Sequence, residues 1–172
     1  MTPMLFAVLT VSDRCAAGLM ADTAGPAVEA RLKEQWPDAE IRTLLFNDDE
    51  AAIATVLEEL CALGARLILT VGGTGLGPRD RTPEATRRVI EREAPGLAEA
   101  MRTKGAEQNP YAWLSRGVAG LRGKTLIVNL PGSRRGAEES WMAIAALVRH
   151  GLEVADGGLR SEERRVGKEC LE

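Results

Sequence analysis

The chain has 172 residues, a formal charge of −3 and a single histidine. That length suits one domain with one substantial core, and scattered Lys and Arg on an acidic chain give no basic stripe for nucleic acid. Apolar residues make up 45% but aromatics only 3%, so the core must be Ala, Leu, Val and Ile, which suits close packing of helices on a sheet. No apolar run is long enough to span a bilayer and no charged-then-apolar leader is visible, so a cytoplasmic protein without membrane contact is expected. Cys15, Cys61 and Cys170 share no metal-ligand spacing, and His150 alone cannot build a His-based triad or a multi-histidine metal site.

In chain order, the apolar run Leu5 to Val11 reads as a strand. Asp22-Thr23-Ala24-Gly25-Pro26 opens a helix through about Gln35, and Ile41 to Phe46 is a second strand. Asn47-Asp48-Asp49 turns into a helix from about Glu50 to Leu63, with Ile53, Val56, Leu57 and Leu60 as its apolar stripe. Leu67 to Val71 is the third strand. Pro83 to about Glu93 and Leu97 to Met101 are helices, Thr103 to Pro110 reads as loop, and Leu114 to Val118 has the composition of a strand. Thr125 to Leu130 is a further strand, and a last helix covers about Ala137 to Val148. This alternation calls for an α/β domain over residues 1–159, a three-layer sandwich with a mostly parallel sheet. Residues 160–172, Arg160 to Glu172, carry no helical stripe and match the translation of a sequencing adapter followed by a cloning scar. They are expected to be a non-native tail, which comparing their codons with the adapter decides.

The most informative segment follows the third strand. Gly72, Gly73, Gly75 and Gly77 fall within six positions, followed by Pro78-Arg79-Asp80 and a helix start at Thr82-Pro83, with Thr82 as N-cap. Glycines allow tight turns and bring N–H groups against an anion. Arg79 adds a fixed positive charge, and Asp80 a carboxylate able to hold a divalent metal. The loop lacks the Gly-Lys-Ser/Thr ending of a P-loop and the Gly-x-Gly-x-x-Gly spacing of a dinucleotide fold. In parallel sheets, ligands bind beyond the C-terminal strand ends. Ser12, Asp13 and Arg14, then Asp48, then Gly72 to Asp80, then Asn129, Pro131 and Gly132 all fall there. Each has a plainer reading as a turn, cap or surface residue; their convergence points to a nucleotide site.

Five segments occur in the order typical of the MoaB/Mog family of molybdenum-cofactor biosynthesis proteins. They are Leu9 to Arg14, Asp22-x-x-Gly25-Pro26, Gly72 to Thr86, Leu114-Ser115-Arg116, and Asn129-Leu130-Pro131-Gly132-Ser133. The chain resembles that family over residues 4–158. One departure is Asn47 before Asp48, where many relatives have proline. The resemblance implies a homotrimer, and a molybdopterin adenylyltransferase that transfers AMP from Mg-ATP to the terminal phosphate of molybdopterin and releases pyrophosphate. The product would pass to a molybdenum insertase. It implies Asp48 and Asp80 as catalytic, Mg²⁺-holding carboxylates, and Gly72, Gly73, Thr74, Gly75, Arg79, Asn129, Pro131 and Gly132 as nucleotide contacts. Ser12, Asp13, Arg14, Asp22, Ser115 and Arg116 match positions at or near the pterin pocket. The alternative is a non-catalytic molybdopterin-binding scaffold of the same fold, which would need the glycine loop but not both carboxylates.

Overall fold

Continuous apolar runs, buried on both faces, lay down the central strands. A computed structural model describes residues 2–158, so the tail expected at 160–172 lies outside the described residues. The strands are β1 (Leu5–Val11), β2 (Glu40–Phe46), β3 (Leu67–Val71), β4 (Arg92–Glu93), β5 (Ala119–Arg122) and β6 (Thr125–Leu130). They form one six-stranded sheet in the order β2-β1-β3-β6-β5-β4. The first four in that order run parallel, and β5 and β4 extend the sheet antiparallel. The helices are α1 (Asp13–Ala16), α2 (Ala24–Gln35), α3 (Glu50–Ala62), α4 (Thr82–Val89), α5 (Pro95–Gln108) and α6 (Arg134–Ala155), with a 3₁₀ turn at Pro110–Leu114.

The strand period of two divides the core. Phe6 and Val8, Leu67, Leu69 and Val71, and Leu126, Val128 and Leu130 face the layer that holds α2, α5 and α6. Ala7, Leu9, Val11, Ile68 and Ile127 face α3 and α4. The three-layer sandwich is therefore present. No helix among the described residues is long and apolar enough to cross a membrane.

Four expectations are corrected. The helix from Pro83 does not reach Glu93: α4 ends at Val89, and Arg92–Glu93 is β4. Thr103 to Pro110 is not loop: α5 continues to Gln108, its few buried residues (Ala98, Met101) giving too narrow a stripe to read. Leu114 to Val118 is not a strand: the 3₁₀ turn ends at Leu114 and the strand begins at Ala119. Thr82 is not the cap of α4. Arg81 holds that position, and Thr82 is the first helical residue, followed by Pro83.

Strand order reverses between β1 and β3, since the chain leaves β1 toward β2 on one side and returns to β3 on the other. Such a switch point opens a crevice at the C-terminal strand ends. Gly72 sits there with φ +105° and donates its N–H to the Leu130 carbonyl at 3.0 Å. A Cβ on Gly72 would overlap the Val11 carbonyl oxygen, and one on Gly132 would lie 3.2 Å from the Gly72 Cα. The ends of β1, β3 and β6 thus close on one another through glycine. Gly72→Ala is expected to lower stability by at least about 1–3 kcal/mol, from forced φ and displaced backbone together. Chemical denaturation checks this, and an unchanged midpoint would show that the three strand ends do not depend on that glycine.

Candidate active site

The loops after β1, β2, β3 and β6 meet at one end of the sheet, and the glycine loop divides the space there in two. On one side, Gly72 and Gly73 face a cavity of about 730 Å³ bordered by Ser12, Asp13, Arg14, Asp22, Asp48, Asp80, Gly132 and Arg134. On the other, Thr74 and Gly75 face one of about 280 Å³ with Ser115, Asn129 and Pro131 in its wall and Met101, Tyr111 and Leu114 opposite. Ser133 borders both. The residues matched to a pterin pocket are therefore split: Ser12, Asp13, Arg14 and Asp22 lie with the two carboxylates, Ser115 across the loop.

The Asn47-Asp48-Asp49 turn separates two duties. Asp49 caps α3, its Oδ1 accepting from the Ala52 N–H at 3.0 Å. Asp48 turns to the cavity, and its Oδ2 accepts the Asp13 N–H at 3.1 Å while its own N–H donates to Asp13 Oδ1 at 3.0 Å. Arg79 closes this reciprocal pair, donating from Nε and Nη2 to Asp13 at 2.5 and 3.0 Å. That guanidinium holds the exposed Asp13 carboxyl at about 2. Asp48 is shifted the other way. Burial raises it, the Asp13 N–H opposes, and the negative charges of Asp13 and Asp80 add to the rise.

Asp80 lies at the exit of the glycine loop, its Oδ2 accepting the Gly77 N–H at 2.9 Å. Asp48 Oδ1 is buried and has no hydrogen-bond partner among the described residues. Two carboxylates on one cavity, with Asp48 raised by burial and by the charge of Asp80, are an arrangement that a dication would stabilise. No cluster of three or more His, Cys, Asp or Glu is present among the described residues, so a cation held wholly by protein does not fit. Mg²⁺ does fit, because it binds through one or two carboxylates and completes its shell with water and phosphate oxygens.

Asn129 and Arg116, like Arg79, are expected ligand contacts that are occupied within the protein. Asn129 is buried, its Oδ1 accepting from the Val118 N–H at 3.1 Å and its Nδ2 donating to Thr70 Oγ1 and Thr86 Oγ1, both at 2.9 Å. It ties β6 to β3, α4 and the chain before β5, which leaves no donor for a phosphate. Arg116 fastens the glycine loop. It donates to the carbonyls of Gly75 at 2.7 Å and Asp80 at 2.6 Å and pairs with Glu84, while its N–H reaches the Thr74 carbonyl at 2.8 Å. Ser12 and Asp22 carry local bonds as well, accepting from the N–H groups of Cys15 and Gly25.

Arg134 was missed by sequence reasoning. It opens the 22-residue α6 behind the N-cap Ser133, beside the carboxylate-bearing cavity. The Pro131-Gly132-Ser133 helix start was the available signal, since a helix N-terminus favours anions. Tyr111, 75% exposed at the mouth of the other cavity, lies between the stretch read as loop and the one read as strand.

A three-layer α/β domain with a glycine loop and paired carboxylates at its switch point is the architecture of a phosphate-ligand protein. The family model described as a probable molybdopterin binding domain matches residues 7–150, and the chain belongs to that family. A molybdopterin adenylyltransferase of Haemophilus influenzae is 40% identical over 143 residues, covering 81% of this chain and 73% of that protein. The Drosophila melanogaster molybdenum cofactor synthesis protein cinnamon is 39% identical over 158 residues, 88% of this chain but 26% of that protein. The chain spans 26%, 47% and 21% of the first three curated relatives it matches. Among solved structures, the molybdopterin biosynthesis enzyme MoaB of Thermus thermophilus superposes with TM-score 0.83 at 46% identity, covering 90% of this chain and 97% of that one.

The Asn129 bonds generate a prediction. Asn129→Ala removes three hydrogen bonds and strands the Val118 N–H, costing about 1–3 kcal/mol for that group alone, while ligand affinity per folded molecule stays near that of the parent. Thermal unfolding and nucleotide titration check it. A stable variant with lost affinity would return Asn129 to the ligand.

Proposed function

We propose that this chain is a molybdopterin adenylyltransferase, transferring AMP from ATP to the terminal phosphate of molybdopterin. The carrying observation is the pair of cavities that share the glycine loop, with both carboxylates on one side of it. A scaffold that only held a pterin would need one cavity and no carboxylate pair. Named adenylyltransferases at 38–40% identity, of which the chain covers 73%, support the same reading.

In this account the ATP polyphosphate lies beside Asp48 and Asp80, and the pterin phosphate reaches it across the loop. A pterin phosphate oxygen attacks the α-phosphorus, a new P–O bond forms, and the bond to the bridging oxygen breaks to release pyrophosphate. The backbone N–H of Gly73 and the positive charges of Arg14 and Arg134 offset the charge of the polyphosphate. Asp48 and Asp80 would hold Mg²⁺, which would supply further stabilisation of charge on the phosphate oxygens and the leaving group. No protein nucleophile or proton-transferring base is required, because the attacking oxygen is already anionic. Arg79 acts through Asp13, fixing the carboxylate that grips the Asp48 backbone.

The finer reading includes a homotrimer in the cytoplasm that passes its product to a molybdenum insertase. For the assembly, a groove of about 910 Å³ formed by Leu97, Leu121, Leu126 and the later part of α6 leaves Leu147 52% and Val154 46% exposed. A second copy is the proposed cover.

Asp80→Asn keeps size and turn-forming capacity but removes the charge, and a neutral amide is a poor ligand for a hard dication. Transfer, read as pyrophosphate release with Mg-ATP and molybdopterin, is expected to fall by roughly two orders of magnitude, with unfolding temperature and trimeric sedimentation unchanged. Near-normal release by the Asn variant favours the non-catalytic alternative, and a monomeric parent removes the trimer.

A further inference from the structure

Thr82 is completely buried, and its hydroxyl has no hydrogen-bond partner among the described residues. That is unexpected for the first residue of a helix, where a threonine side chain ordinarily caps or turns outward. The cap position belongs to Arg81, and the Thr82 N–H is used on the Gly73 carbonyl at 3.1 Å. The hydroxyl instead lies against Gly73, where a Cβ on that glycine would overlap it. The same Cβ position is 3.1 Å from Asp48 Oδ1, another of the three buried side-chain oxygens without a partner among the described residues, the third being Glu84 Oε2. Gly73, at φ +68°, is therefore the spacer against which a hydroxyl and a carboxylate oxygen both rest.

This alters the meaning of Gly73. A side chain there would not enter the phosphate space but would drive into Thr82 and Asp48. It also pairs two orphans of complementary chemistry. A carboxylate oxygen only accepts, and a threonine hydroxyl is able to donate. Left apart, each carries the penalty of a buried polar group without a bond. The other oxygen of Asp48 is already held by the Asp13 N–H.

We infer that Thr82 is a positioning residue for Asp48: its hydroxyl donates to Oδ1 when the glycine loop settles on a metal–nucleotide ligand. Asp48 is then held on both oxygens, by Thr82 on one and by Asp13 on the other, with the remaining lone pairs of Oδ2 left to the cation. Methyl packing alone would not require an oxygen at this point. The inference rests on the proposed reading of Asp48 as a carboxylate for a nucleotide-bound cation.

The test compares Thr82→Val, which keeps the shape and loses the hydroxyl, with Thr82→Ser, which keeps the hydroxyl and loses the methyl. Mn²⁺ binding in the presence of ATP is read by electron paramagnetic resonance, alongside pyrophosphate release and unfolding temperature. The valine variant should bind Mn²⁺ at least 10-fold more weakly and turn over at least 10-fold more slowly, with KM for molybdopterin unchanged. The serine variant should stay within about 3-fold of the parent. In an Asp48→Asn background, Thr82→Val should bring no further loss. Parent-like Mn²⁺ affinity in the valine variant, a serine variant as weak as valine, or losses that add in the double variant would each overturn the assignment. If the valine variant does not fold, the serine variant and its double with Asp48→Asn decide. A parent that binds Mn-ATP yet transfers no adenylyl group defeats the proposed reaction, and the Mn²⁺ readings still decide Thr82.

Discussion

The whole site depends on how closely the C-terminal ends of β1, β3 and β6 approach one another. Gly72 meets the Val11 carbonyl with no room for a Cβ, and Gly132 lies against Gly72 from the side of β6. This contact is possible only because β1 and β3 are neighbours at the point where strand order reverses. The loops of four parallel strands then emerge within reach of one another. A bulkier junction would hold the strands apart, and the Ser12 to Arg14 segment would no longer meet Asp48 or the glycine loop. The small-residue composition of the chain is in this sense a functional property as well as a packing one.

From that junction the electrostatics follow in sequence. Arg79 reaches back from the loop to Asp13, which drives the Asp13 carboxyl down to about 2 and fixes it in the charged form. Asp13 in turn exchanges hydrogen bonds with Asp48, and Asp48 becomes a half-buried carboxylate raised by its burial and its acidic neighbours. Arg116, with Glu84 behind it, holds the other limb of the loop through the Gly75 and Asp80 carbonyls. Two arginines that sequence patterns assign to ligands are thus committed to fixing the loop. Arg14 and Arg134 line the cavity that holds the two carboxylates, and in the proposed reaction they are the cations that meet the polyphosphate.

Legibility in the sequence followed the kind of physics involved. The parallel strands were readable because apolar runs of five to seven residues bounded by turn residues have few other uses. The glycine loop was readable because four glycines followed by Pro-Arg-Asp is costly unless the backbone must turn tightly. Thr103 to Gln108 was misread because an exposed, polar helix buries too little to show a period. Leu114 was misread because an apolar residue on the wall of a cavity has the same composition as one in a strand. Asn129 and Arg116 were assigned to ligands because a motif records that a residue is demanded, not whether a substrate or a neighbouring strand demands it. Asp48 was separated from Asp49 by the family resemblance alone, since either carboxylate is suited to capping a helix.

The central claim is that the glycine loop is a partition, with polyphosphate on the Asp48 and Asp80 side and the pterin on the Ser115 side. A crystal structure with Mg²⁺ and a non-hydrolysable ATP analogue tests it most directly. The account predicts triphosphate density against Gly72 and Gly73, with the cation beside Asp48 and Asp80. Triphosphate density on the Ser115 side of the loop, or a cation away from both aspartates, would contradict it.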